Sequence, residues 1–244
     1  MNHLTALELL HVWELGLSAS PVRRALHLLA IAFPNYAWEE LTRLSIGQRD
    51  ELLLTLREGL FGSQLTSVAH CPSCGEQLEF AFDTQDIRVD SEPLLAGEMT
   101  LEMDDYRLHY RLPNSIDLEV AAHCHSPEAV SRQLLQRCIV SAHYQETDCD
   151  LAALPADILA AIASQMAQAD PQADVQISLT CPACEHQWQS PFDIVHFLWS
   201  ELHVWAQRTL VDVHRLALAY GWRETDILAM SPQRRQFYLG MVNR

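Results

Sequence analysis

The chain has 244 residues, 49% apolar and 20% charged, with a formal charge of −16 at neutral pH. It can bury a substantial core as one discontinuous domain or two small ones, and its acidity argues against general nucleic-acid binding, where Lys and Arg neutralise phosphates. No apolar run reaches about 18 residues and no charged, apolar, cleavable leader opens the chain, so neither a membrane span nor a signal peptide is expected. Seven cysteines, an odd number, suit the reduced thiols of a cytosolic protein better than a disulfide framework.

From Leu4 to about Gly16, Leu7, Leu10, Trp13 and Leu17 fall at helical spacing. Ser20-Pro21 then supplies an N-cap and a first helical position for a helix with the stripe Val22, Leu26, Leu29 and Phe33, ending before Pro34. A short helix is predicted over 37–44 and another from Gly47 to Leu60, carrying Leu52, Leu53, Leu56 and Leu60. On the latter, Arg49, Asp50, Glu51, Arg57 and Glu58 read as a solvated face with local ion pairs.

Two turns then dominate the pattern. Cys71-Pro72-Ser73-Cys74 is followed by Gly75, and Cys181-Pro182-Ala183-Cys184 by Glu185. Two thiolates in one tight turn can grip a metal ion. Four complete the closed tetrahedral shell of a structural Zn²⁺. Closing a loop of about a hundred residues costs roughly 4 kcal/mol of chain entropy, against roughly 10–16 kcal/mol from structural zinc in small model sites. One shared structural zinc on Cys71, Cys74, Cys181 and Cys184 is therefore the expectation. With four protein ligands it has no open position for a water, so it staples and does not catalyse. The alternatives are two unrelated redox or surface turns, or a mixed site in which His70 or His186 replaces a thiolate.

Gln77–Phe82 alternates, with Leu78, Phe80 and Phe82 on one face; Val175–Leu179 and His186–Gln189 flank the second turn in the same way. Together they predict a zinc ribbon. Between its halves, Met99–Met103 and Arg107–Leu112 read as strands around a turn at Asp104-Asp105. Helices are predicted over Asp117–Ala122, Pro127–Ser141 and Pro155–Ala167. His123-Cys124-His125 has metal-ligand residue types, but neighbours on a helix point apart, so the three read as surface and half-buried residues.

From Pro191 to Tyr220 an apolar stripe recurs at 3, 4 and 7, through Val195, Leu198, Trp199, Leu202, Trp205, Ala206, Leu210, Val213 and Leu216. Gly221 is placed to end it in a left-handed cap. Short helices follow at Thr225–Met230 and after Ser231-Pro232. His196, His203 and His214 form no His-x-x-x-His pair and read as packing or surface residues. The expected class is α+β, predominantly helical. Its parts are an N-terminal helical region (1–63), a discontinuous zinc ribbon (64–84 with 172–190), an inserted hairpin with helices (85–171), and a long C-terminal helix with a helical tail (191–244).

Three runs carry a resemblance. They are Ile46-Gly47-Gln48-Arg49-Asp50-Glu51-Leu52-Leu53-Leu54 with Leu56-Arg57-Glu58 and Phe61-Gly62, then Arg111-Leu112-Pro113-Asn114-Ser115-Ile116-Asp117-Leu118, and the ending His214, Tyr220-Gly221-Trp222, Ile227-Leu228, Ser231-Pro232, Arg234-Arg235 and Tyr238-Leu239. Together they resemble a bacterial family encoded with contractile tails and injection systems, similar to the baseplate (hub-assembly) proteins of T-even phages. The paired knuckles fit its bacterial branch, and Glu185 stands where a glycine is expected. The resemblance implies a non-enzymatic accessory factor or chaperone of baseplate-hub assembly. It would act by contacts with other baseplate, hub or spike subunits, in the bacterial cytoplasm or incorporated in the tail or injection particle. No small-molecule substrate is expected. An exposed remainder of the long helix would be a partner surface, with Trp199, Trp205, Trp222, Arg234, Arg235 and Tyr238 as candidates. The competing readings are a zinc-ribbon nucleic-acid-binding regulator, a DNA-reading helix–turn–helix ending with Arg234 and Arg235 as phosphate contacts, and a zinc or thiol enzyme using Cys124.

Overall fold

The computed structural model describes residues 2, 4–89, 97–145 and 147–242. The fold is α+β and mostly helical. In chain order it begins α1 (Ala6–Gly16), α2 (Pro21–Ala32), α3 (Trp38–Arg43), α4 (Ile46–Phe61), β1 (Gln64–His70), β2 (Gln77–Asp83) and α5 (Thr84–Ile87). It continues β3 (Met99–Met103), β4 (Tyr106–Tyr110), α6 (Ser115–Ala121), α7 (Pro127–Cys138), β5 (Ile139–Tyr144), β6 (Thr147–Asp148) and α8 (Ala156–Ala169). It closes with β7 (Gln176–Thr180), β8 (Gln187–Pro191), α9 (Ile194–Tyr220), α10 (Glu224–Leu228) and α11 (Pro232–Val242). Among the described residues no helix is long and apolar enough to cross a membrane. The chain divides into two compact units, Met1–Ala37 with Ile194–Arg244, and Trp38–Asp193.

The first unit is helical. Thr5 and Glu8 form a capping box at the start of α1, and Ser20 Oγ accepts from Arg23 N at the start of α2, satisfying donors a helix N-terminus leaves open. Leu198, Leu202, Ala206, Val213 and Leu216 of α9 are buried, and the last three share a core with Leu10, Ile227, Leu228 and Leu239. Gly221 ends α9 at φ +67°, donating its N–H to Ala217 O at 2.8 Å.

The second unit holds an antiparallel sheet in the order β3-β4-β5-β6 and two separate two-stranded hairpins, β1-β2 and β7-β8. Asp104 and Asp105 take φ +48° and +63° between β3 and β4, the mirror-image turn whose twist matches its strands. Leu101, Leu108, Tyr110 and Ala142 of the sheet pack with Ile158, Ile162 and Met166 of α8. Two of the runs quoted above meet here, where Ile46 N donates to Pro113 O at 3.2 Å. Asn114 caps α6 in a box with Asp117.

The charged set on α4 departs from expectation. Arg49 is 5% exposed and Arg57 2%, so the two arginines are enclosed, while Glu51 stays exposed and Asp50 and Glu58 are half-buried. Arg49 pairs with Asp50 at 2.7 Å, and Arg57 Nη1 donates to Gly62 O at 2.6 Å, which satisfies its charge-bearing donors inside. The start of α4 is covered by the turn at 171–173, whose neighbour Asp170 accepts from Gly47 N at 2.9 Å. A Cβ on Gly47 would come within 2.0 Å of Asp170 Oδ1 and 3.1 Å of Ala173 N. Gly47→Ala is therefore expected to lower stability by about 1–2 kcal/mol through loss of that long-range cap, despite alanine's better helix propensity. An unchanged denaturation midpoint would show that Asp170 does not anchor α4.

A second departure lies at the end of α7. The helix predicted to Ser141 stops at Cys138, and Ile139–Tyr144 is a strand paired with β4, Leu108 opposite Ala142 and Tyr106 opposite Tyr144. Cross-strand packing, including a Tyr106–Tyr144 ring contact at 4.7 Å, overrides a run that fits either period.

Candidate metal centre

Each Cys-Pro-x-Cys turn is the loop of a hairpin. β1 and β2 pair from Gln64 opposite Asp83 to His70 opposite Gln77, and β7 and β8 from Gln176 opposite Pro191 to Thr180 opposite Gln187. The two loops share one hydrogen-bond scheme. Gly75 N donates to Cys71 O and Glu185 N to Cys181 O, while Cys71 N donates to Glu76 O and Cys181 N to His186 O, all at 2.9 Å. An isolated two-stranded hairpin is marginal in water, so each needs support at its sheet face or at its tip. Phe82 gives the face, meeting Phe192 edge-on at 5.6 Å. The tips bring the sulfurs together.

Cys71 Sγ lies 3.7 Å from Cys184 Sγ and Cys74 Sγ 3.6 Å from Cys181 Sγ, and all four sulfurs lie within 4.8 Å of one another. These separations exceed the disulfide bond length of about 2.05 Å. They match the edge of a tetrahedron with metal–sulfur bonds of about 2.3 Å, which is about 3.8 Å. Cys71 and Cys181 are buried, whereas Cys74 and Cys184 face outward. Burial pushes the Cys71 thiol up, but N–H groups of Cys74 and Ser73 outweigh it and bring it down to about 7. At Cys74 the Glu76 N–H favours the thiolate, yet the sulfurs of Cys184, Cys181 and Cys71, with burial, push it up to about 12. The Cys71 thiolate forms readily and that of Cys74 is opposed by the sulfurs around it, a repulsion that a cation at their centre would relieve. The four cysteines can bind a metal ion.

Among the described residues this four-cysteine group is the one cluster of three or more metal-ligand side chains. His70 and His186 are exposed and stand outside it, as do exposed His123 and His125 and half-buried Cys124. Glu185 takes φ +59° where Gly75 takes +78°. The left-handed conformation costs a side-chain-bearing residue roughly 1–2 kcal/mol and glycine almost nothing. Glu185→Gly is expected to stabilise the protein by about 1 kcal/mol after the glycine's greater chain entropy is counted. A midpoint of thermal unfolding that fails to rise would remove strain from the account of this turn.

The residues expected at a partner surface fall in the first unit and divide by burial. Trp199 is 8% exposed, with the Arg24 guanidinium 4.5 Å over its ring and Gly16 so close that a Cβ there would stand 2.2 Å from it. Arg235 is 5% exposed and donates to Met230 O at 2.8 Å, capping the turn after α10. These two lie inside the packing. Trp205 is half-buried against the core. Trp222 stacks on Tyr220 at 4.5 Å and meets Tyr238 edge-on at 4.8 Å. Arg234 is exposed, 5.8 Å from the Tyr238 ring centre. His203 accepts from Trp13 Nε1 at 3.0 Å, a packing role. Sequence reasoning missed Phe237 as a surface residue, although 70% of it is exposed; its signal is a position three residues after Arg234 on one helix face.

A family model described as T4 bacteriophage base plate protein matches residues 28–199, a span that includes both cysteine turns. No curated protein and no solved structure matches the chain.

Proposed function

Because this chain belongs to the T4 bacteriophage base plate protein family, we propose that it is a non-enzymatic baseplate or baseplate-hub assembly protein of a contractile phage tail or injection system. It works as an accessory factor or chaperone through protein–protein contacts, and one structural Zn²⁺ holds its two hairpins as a zinc ribbon. The observation that supports the zinc is the four-sulfur cluster, with separations of 3.6 and 3.7 Å across the two turns and all sulfurs within 4.8 Å, whose four donors would fill the positions of a closed zinc site. An ion so enclosed offers no place for water or substrate and serves architecture. In this reading the ribbon spans 64–84 with 172–190, and the sheet of 85–171 is an insertion whose ends the ion draws together. The partners are other baseplate, hub or spike subunits, met in the bacterial cytoplasm during assembly or in the finished tail.

Two measurements test it. Elemental analysis of the purified protein is expected to return one zinc per chain. Affinity purification from cells expressing the whole tail cluster is expected to recover baseplate, hub or spike components. Recovery of polymerase or nucleic acid in their place would overturn the assembly role.

A further inference from the structure

We propose that the surface made by the end of α9 and the outer face of α11 docks an acidic segment of a partner protein that carries apolar anchors. This rests on the assembly reading and names the chemistry of its partner. Residues 208–242 lie beyond the family match and reverse the charge of the chain. They hold Arg208, Arg215, Arg223, Arg234 and Arg235 against Asp212, Glu224 and Asp226, in a protein of net charge −16. Arg215, Arg223 and Arg234 are exposed, and among the described residues none of the three is in an ion pair.

Apolar side chains stand beside these cations. Arg234, Phe237 and Met241 follow at spacings of three and four, so they share one face of α11. Phe237 is 70% exposed and Met241 43%, while Arg235 and Leu239 on the other face are buried. Tyr238 joins this face to the Tyr220–Trp222 stack. Across α9, Gln236 donates to Asp212 at 3.1 Å, which holds α11 beside the turn bearing Arg215. Tyr, Trp and Arg around an open aromatic side chain are the composition of an interface centre.

The charge decides the partner's sign, and range decides its class. Screening confines these arginines to about 8 Å at physiological salt. A short acidic segment docked there meets a local excess of arginines over Asp212, Glu224 and Asp226, whereas a long polyphosphate also meets the acidic remainder of the chain. Phe237 and Met241 would moreover gain burial against apolar anchors, which a phosphate backbone lacks.

The test uses the full chain and a fluorescent synthetic helical peptide of glutamate and leucine, with fluorescence anisotropy as the readout. The acidic peptide is expected to bind, its lysine-for-glutamate counterpart to fail, and added salt to weaken binding. Arg234→Glu and Phe237→Ser, both at exposed positions, are each expected to weaken it about tenfold or more with unchanged thermal midpoints. Equal binding by the variants overturns the proposal. So does preference for a DNA duplex of equal charge, or a dimer that Phe237→Ser dissolves, since a second copy would then occupy the face. If the peptide fails while tail components still co-purify, the assembly role stands and its contact lies elsewhere.

Discussion

Cys181→Ser is expected to abolish binding of the proposed zinc and with it the cooperative unfolding transition of the Trp38–Asp193 unit. A domain is stable by only about 5–15 kcal/mol, and structural zinc supplies a comparable roughly 10–16 kcal/mol in small sites. Cys181 is 1% exposed, so serine at this position trades a thiolate ligand for a buried hydroxyl as well. A strong chelator should reproduce the effect in the unsubstituted protein, and Cys124→Ser, outside the cluster, should leave both zinc content and melting unchanged. Because the ligands bind as thiolates, zinc binding releases protons and weakens as the pH falls. A Cys181→Ser protein that melts like the parent and retains one zinc would end the case for a metal staple.

Asp117→Ala is expected to cost about 3 kcal/mol, the low end for breaking a buried ion pair, because Arg111 and Arg137 keep 34% and 32% of their side chains in solvent. Asp117 is fully buried. Its Oδ1 accepts from Arg111 Nη2 at 3.0 Å and from Arg137 Nε at 2.9 Å, and its Oδ2 from Asn114 N at 3.0 Å. Removal leaves two guanidiniums without their carboxylate and uncaps α6, where a set replaced throughout by apolar side chains could be nearly neutral. Burial pushes the Asp117 carboxyl up, but Arg111, the Asn114 N–H and Arg137 outweigh it and hold it below the usual range. Its native pKa is thus lower than its unfolded value of about 4. The stabilisation is fully present above that unfolded value and is lost as the pH falls through the native one.

Asp50 works in the opposite sense. Burial raises it to about 6 against the pull of Arg49, so the folded state holds the proton more tightly. Its contribution to stability falls as the pH rises from about 4 to about 6. Denaturant unfolding measured across pH separates the two, because Asp117→Ala should flatten only the acid limb. If the variant's acid limb matched the parent's, the Arg111–Asp117–Arg137 network would not be the origin of acid sensitivity.

By its residue order alone the chain determined the helix start at Ser20, which caps α2, the turn at Asp104-Asp105, and the pairing of four cysteines into one cluster. These depend on side chains bonding their own backbone within a few residues, or on a donor set so specific that spacing suffices. Tertiary structure decided the rest. β1 was illegible because its inward residues, Leu65, Ser67 and Ala69, include small and polar ones while Val68 is 51% exposed; its alternation exists only opposite β2. The start of α4 looks like surface until Asp170 and the 171–173 turn return to cover it at Gly47. Trp199 looks available until Gly16 and Arg24 close over it. Periodicity and capping are local and written in the residues, whereas burial depends on which distant segment arrives.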